Sequence, residues 1–203
     1  MRPPTRLILS VTLTALASPA AHAACALKDL FPSGVYTYRM SGPTTITYTT
    51  TNAAKSSSVT STTTVAGTTT SMTWACTAKG LTGTMSTGGK ENLTTTSSAF
   101  LPPPSVWRPG YSWKSNQTVN MGGGLTAKST SVNKIVKRES IKVPAGTFTA
   151  WRLDTTSTMT MKLPNSSAPK TTTLKSSVWY APGTGMIRSE SSGVTTELVK
   201  VKR

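Results

Sequence analysis

Residues 147–163 read TFTAWRLDTTSTMTMKL, and their order decides the class of fold. Thr149, Trp151, Leu153 and Thr155 alternate with Ala150, Arg152 and Asp154; further along, Met159, Met161 and Leu163 alternate with Thr158, Thr160 and Lys162. A period of two sends successive side chains to opposite faces of an extended chain. The segment therefore predicts long strand structure with one apolar side. The same alternation recurs at Ser71–Thr77, where Met72, Trp74 and Cys76 share one face and Ser71, Thr73 and Thr77 the other. This describes a half-buried antiparallel strand with Cys76 facing inward.

Outward from these two runs, β-rich segments separated by Gly, Pro, Asn or Lys turns occupy 35–40, 44–51 and 59–65, then 111–121, 132–143, 171–180, 186–191 and 195–201. No stretch of the mature chain places apolar residues at three-four spacing. The prediction is an all-β antiparallel meander of about ten strands forming a barrel, half-barrel or sandwich. Gly88, Gly89, Pro102, Pro103, Pro104 and Pro109 make 87–110 a Pro/Gly-rich connection between two halves. The density of Thr and Ser could mark a stalk, but Thr is a good strand former and Trp and Met recur in register with it.

The N-terminus carries an address. Arg2 and Arg6 precede an apolar run from Leu7 to Leu16, and Ala21-His22-Ala23 places small residues where a signal peptidase reads. Residues 1–23 are expected to be a signal peptide, and 24–203 a single β domain with no transmembrane segment. Loss of Arg2 and Arg6 leaves 20 basic against 6 acidic residues, about +14, with clusters at 134–142 and 200–203. Such a charge favours anionic partners through long-range attraction. Cys25 and Cys76, the two cysteines of an exported chain, are expected to form a disulfide. A cut one residue later would instead make Cys25 a lipidated first residue.

What is missing narrows function further. Without His22 the mature chain has no histidine, so neither a Ser-His-Asp arrangement nor a His-ligated zinc site can be built. Asp29, Glu91, Glu139, Asp154, Glu190 and Glu197 are separated along the chain and read as surface ion-pair partners rather than an acid/base pair. Gly122–Gly124 lacks the Lys-Ser or Lys-Thr step of a phosphate loop. No enzyme, cofactor or metal is indicated. Lys134, Lys137, Arg138 and Lys142 are candidates for a polyanion-facing surface, with Lys134 and Arg138 expected on one strand face and Lys137 on the other. No aromatic residues interleave there to stack bases, so no dedicated nucleic-acid site is expected. Trp74, Trp107, Trp113, Trp151 and Trp179 are candidates either for core packing or for lining an apolar cavity.

The segment Val143-Pro144-Ala145-Gly146-Thr147-Phe148, followed by Trp179-Tyr180-Ala181-Pro182-Gly183-Thr184-Gly185, resembles a bacterial secreted or lipoprotein family of unknown function that carries VPAGTF and WYAPGxG segments. Pro109, Gly110, Tyr111 and Trp113 upstream and Glu197-Leu198 near the end extend the resemblance over roughly 102–201. Thr184 stands where a branched apolar residue is commoner. Such proteins are similar to open β-barrel periplasmic lipoprotein carriers, which implies an envelope role and an apolar ligand without naming a site. Two function classes follow: a binder or carrier of an apolar or anionic envelope molecule such as a lipid, and a surface structural protein that holds a polyanionic polymer by charge.

Overall fold

Twelve antiparallel strands follow one another around a closed barrel, each paired with its sequence neighbours and the first with the last. A computed structural model describes residues 27–77, 80–87, 90–97, 101–102, 104–121, 125–162 and 169–203. The expected signal peptide, Cys25 and Gly122–Gly124 lie outside the described residues. A short helix α1 (Leu27–Leu30) leads into β1 (Gly34–Ser41), β2 (Thr45–Ala54), β3 (Ser58–Val65) and β4 (Thr68–Thr77). Next come β5 (Gly80–Thr87), β6 (Lys90–Ser97), a 3-10 turn (Pro104–Val106) and β7 (Ser112–Asn120). The wall is completed by β8 (Thr126–Val143), β9 (Gly146–Lys162), β10 (Lys170–Ala181), β11 (Gly185–Ser191) and β12 (Val194–Lys202). The meander is thus a barrel rather than a sandwich. It is a closed ring, not the open one the family resemblance implied. Closure pairs β1 with β12, so no strand of the ring is an edge strand along its whole length.

The Thr-rich composition has a direct structural use. Across neighbouring strands Thr50 and Thr63 hydroxyls lie 2.9 Å apart, Thr60 and Thr73 3.0 Å, and Thr64 and Thr69 3.1 Å. β-Branched side chains suit the pleat, and paired hydroxyls of this kind each contribute a few tenths of a kcal/mol up to about 1. A ladder of such pairs stabilises wall that has little core behind it.

Two strands, β5 and β6, stand where the sequence reading ran from the end of a strand at Thr77 into a long connection at 87–110. Gly80 and Gly83 obscured the first of them. Gly83 lies opposite Trp74, and a Cβ built on it would sit 2.7 Å from the Trp74 ring and 2.7 Å from the Thr95 methyl. The glycine makes room for the indole to lie across the neighbouring strand, a use of strand glycine that weakens the propensity signal. Gly83→Ala is therefore expected to lower stability by about 1–3 kcal/mol, the usual cost of overpacking. Denaturant unfolding with an unchanged m-value would measure it.

Three clusters make the core. Tyr36, Tyr38, Ile187, Leu198 and Trp179 belong to the first, with Val143 and Ala150 from the β8–β9 hairpin. The hairpin tip is tied down by the Ala145 amide, which donates to the Leu198 carbonyl at 3.0 Å. Leu30, Trp107, Ile135 and Leu153 form the second, flanked by Trp113, Trp151 and Tyr180. The third joins Leu27 of α1 to Val59, with Trp74 and Cys76 packed against them. The helix and the segment before β7 therefore stopper the barrel at the end where β1 begins and β12 finishes.

Both sequence motifs serve this stoppered end. VPAGTF is a two-residue hairpin, Val143 pairing with Gly146 around Pro144-Ala145, and Phe148 packs back onto the first cluster. In WYAPGTG, the Thr184 amide closes the turn on the Ala181 carbonyl at 3.0 Å. Gly185 follows with φ +86, and a Cβ there would lie 2.7 Å from the Leu30 carbonyl oxygen. Only glycine combines that backbone with so close an approach of α1. The departure at Thr184 is also explained: its buried hydroxyl accepts from the Arg203 guanidinium at 3.1 Å, which also donates to the Gly183 carbonyl.

Candidate functional site

The wall facing the interior is not uniform. On the β1–β4 side, Tyr38, Met40, Ile46, Tyr48, Val65 and Trp74 line a chamber of about 460 Å³, with Met186 from β11 opposite and Leu30 and Phe31 from the stopper. Its other walls are neutral hydroxyls and an amide, among them Thr50, Thr63 and Asn52. Among the described residues no charged side chain lines it. Tyr38 and Tyr48 stack with ring centroids 5.5 Å apart, and the Tyr38 hydroxyl donates to the Met186 carbonyl at 3.0 Å, which fixes the aromatic wall. Burial raises the pKa of both phenols, so both stay neutral.

A second chamber of about 190 Å³ lies on the β6–β9 side. Ser97, Ser115, Gln117, Ser131, Asn133 and Thr155 contribute its polar lining and Leu101, Leu153 and Val178 its apolar part. The polar groups are organised: the Asn133 amide donates to Ser115 at 3.0 Å and accepts from Thr155 at 2.9 Å, Gln117 donates to Thr95 at 2.8 Å, and the Ser131 and Ser157 hydroxyls lie 2.6 Å apart. Tyr180 borders both chambers, and burial pushes its pKa up to about 12.

The five tryptophans take three different places. Trp74 lines the larger chamber. Trp107, Trp113 and Trp151 pack in the second core cluster, Trp107 donating its indole N–H to the Pro102 carbonyl at 2.9 Å. Trp179, buried in the first core cluster, lies on the face of β10 turned away from the chambers, level with Arg152 and Arg188 across the ladder. The chamber residues that the sequence reading missed are Tyr38, Met40, Ile46, Tyr48 and Met186. Alternation in β1 and β2 puts the first four on one face, but nothing in the chain order says that these strands curl toward Met186 of β11.

Around Trp179 the outer face carries an ion network. The guanidinium carbons of Arg152 and Arg188 lie 5.3 and 5.5 Å from its ring centroid, and its N–H donates to Glu139 at 3.0 Å. Arg152 forks onto Asp154 at 2.8 and 3.2 Å, Arg188 binds Glu190 and lies 3.6 Å from Glu197, and Arg39 reaches Glu197 at 3.3 Å. Asp154, Glu190 and Glu197 are therefore ion-paired in this network. Among the described residues no group of His, Cys, Asp and Glu could hold a metal ion.

The basic candidates are rearranged by one irregularity. The register shifts between Ile135 and Lys137, so Lys134 faces Asp154, Lys137 faces Arg152 and Arg138 faces Trp151 across the ladder. The extra residue, Val136, reverses the alternation. Lys134 and Lys137 thus share the outer face, not Lys134 and Arg138 as strict alternation predicts. Arg138 lies 5.8 Å over the Trp151 ring, Lys137 is paired with Glu139 at 2.9 Å, and Lys142 is exposed near the hairpin tip. The four do not form one basic stripe.

The bonds from Trp179 and Lys137 hold the Glu139 carboxyl below the usual glutamate range. A carboxyl whose pKa is lower folded than unfolded stabilises the fold above its unfolded value, and that stabilisation is lost as pH falls through the folded one. Stability is thus expected to drop below about pH 4, with a smaller drop in Glu139→Gln. Denaturant midpoints across an acid pH series would measure both.

No curated protein matches the chain significantly. Among solved structures, a protein described as exported, with a YmcC-like fold, from Bacteroides fragilis superposes with a TM-score of 0.54 at 17% identity, over 86% of this chain and 99% of that one. A protein described as a lipoprotein, from Parabacteroides distasonis, gives 0.51 at 15% identity, over 86% and 98%. At these identities the likeness is one of fold. Residues 113–201, from β7 to β12, match the family model described as DUF3108-like.

Proposed function

We propose that this chain is an exported, non-enzymatic envelope protein whose barrel interior holds an apolar molecule. The observation that carries this reading is the chamber of about 460 Å³ walled by Tyr38, Met40, Ile46, Tyr48 and Trp74, with no charged side chain among the described residues of its lining. Its size falls within the range of about 300–1,000 Å³ typical of ligand sites. Methionine at Met40 and Met186 gives the wall an adaptable surface, as promiscuous apolar sites use. The N-terminal signal pattern, together with solved neighbours described as exported and as a lipoprotein, supports export.

The proposal includes the Cys25–Cys76 bridge. Cys76 packs in the cluster that holds Leu27, and Cys25 precedes Leu27 by only two residues, a span of about 7 Å at most. Charge supplies the second reading, a protein that holds polyanionic polymer at its surface. With four acids consumed in pairs around Trp179, Lys134 and Lys142 remain exposed and make no ion pair among the described residues.

Salt separates the two readings. Attraction between exposed charges is screened as ionic strength rises, whereas apolar burial is not. Titration with a neutral apolar naphthylamine is expected to change tryptophan emission through Trp74 to the same extent at low and high salt. Polyanion binding without any salt-resistant response to the neutral probe would leave only the charge reading.

A further inference from the structure

We infer that the occupant of the barrel is a neutral amphiphile, its chain in the Tyr38–Tyr48–Trp74 chamber and an uncharged, hydroxyl-bearing head among the hydroxyls and amides of the smaller chamber. This rests on the interior being a ligand site, as proposed above, and adds the chemistry of what enters it. Two chambers of opposite character border the same residue, Tyr180. One is walled by rings, thioethers and aliphatic side chains. The other offers Ser97, Ser115, Gln117, Ser131, Asn133 and Thr155, a set able both to donate and to accept.

Charge decides between kinds of head. Among the described residues neither lining contains Lys, Arg, Asp or Glu. An ionised carboxylate or phosphate moved into such a space leaves water without gaining a counter-charge, which is strongly unfavourable. The strongly basic exterior would gather anions, so the interior must discriminate where the surface does not. A head of hydroxyls meets groups of matching chemistry, and an analogue without them leaves those groups unmatched, the situation in which polar sites discriminate most. Tyr180 fits this role, since burial keeps its phenol protonated and able to donate at the boundary of the two chambers.

The test uses three probes of one chain length, each below its micellar concentration: monolauroylglycerol, methyl laurate and ionised laurate, measured by displacement of a neutral apolar fluorophore from the intact protein. Monolauroylglycerol is expected to bind at least about tenfold more tightly than laurate and several-fold more tightly than methyl laurate. Replacing both partners of the Ser131–Ser157 pair, S131A with S157A, removes matched hydroxyls together and should spare the fold. This double variant is expected to shrink the ratio of monolauroylglycerol to methyl laurate affinity several-fold. Tyr180→Phe, which removes one oxygen, provides an independent variant with the same expected direction. Laurate binding as tightly as monolauroylglycerol, or a ratio unmoved in both variants, would overturn the neutral-head inference while leaving an apolar site. Failure of all three probes to displace the fluorophore would remove the interior as a ligand site altogether.

Discussion

Leu198→Ala is expected to lower the unfolding free energy by about 2–5 kcal/mol, the range for truncating a fully buried leucine whose surroundings relax only partly. Leu198 is 0% exposed and lies opposite Tyr38 in the ladder that closes the ring between β1 and β12. Its carbonyl also anchors the tip of the β8–β9 hairpin through the Ala145 amide. A cavity at this point would loosen the barrel seam and the hairpin together. Leu174→Ala provides the contrast: at 40% exposure on β10 it should cost less than about 1 kcal/mol. Equal losses for the two variants, measured by denaturant unfolding, would mean that the seam is not packed as described.

Cys76→Ser is expected to cost about 4 kcal/mol, because the proposed bridge to Cys25 would close a loop of 51 residues and restrict the unfolded chain accordingly. The stoppered end explains why the consequence extends beyond stability. Leu27 and Leu30 are held by their packing and by the approach of Gly185, and the proposed bridge would fasten the chain just ahead of them. Without it, α1 should detach more readily and open the larger chamber at Leu30 and Phe31. Intact mass should be two hydrogens below the reduced value. A diacylglyceryl group on Cys25 with a free Cys76 would contradict this.

Most of the wall was legible in the chain order because alternation survives in it. Trp151 and Leu153 on β9 and Trp74 and Cys76 on β4 lie on the face that the structure turns toward the core, although Ala150 on the other face of β9 is also buried, and the ten strands read from sequence correspond to all but β5 and β6. Those two escaped because Gly83 is required by a neighbour, Trp74, that lies on another strand. The face of Arg138 escaped because a single inserted residue, Val136, reverses every later side chain in β8, and no local preference marks where a bulge falls. The chambers were legible only in their ingredients. Trp74 and the recurrent methionines announced an apolar surface, but that Met40, Tyr48 and Met186 meet across one space follows from barrel closure, which is a property of all twelve strands at once.

Methyl NMR of the methionines during titration with a neutral apolar ligand tests the ligand-holding interior most directly. Met40 and Met186 line the larger chamber from β1 and β11, strands that come together only in the closed barrel. The account predicts that their methyl signals and the Trp74 indole N–H shift together along one saturating curve that salt does not change. Shifts confined to other residues, or none at Met40, Met186 and Trp74 at saturating ligand, would contradict it.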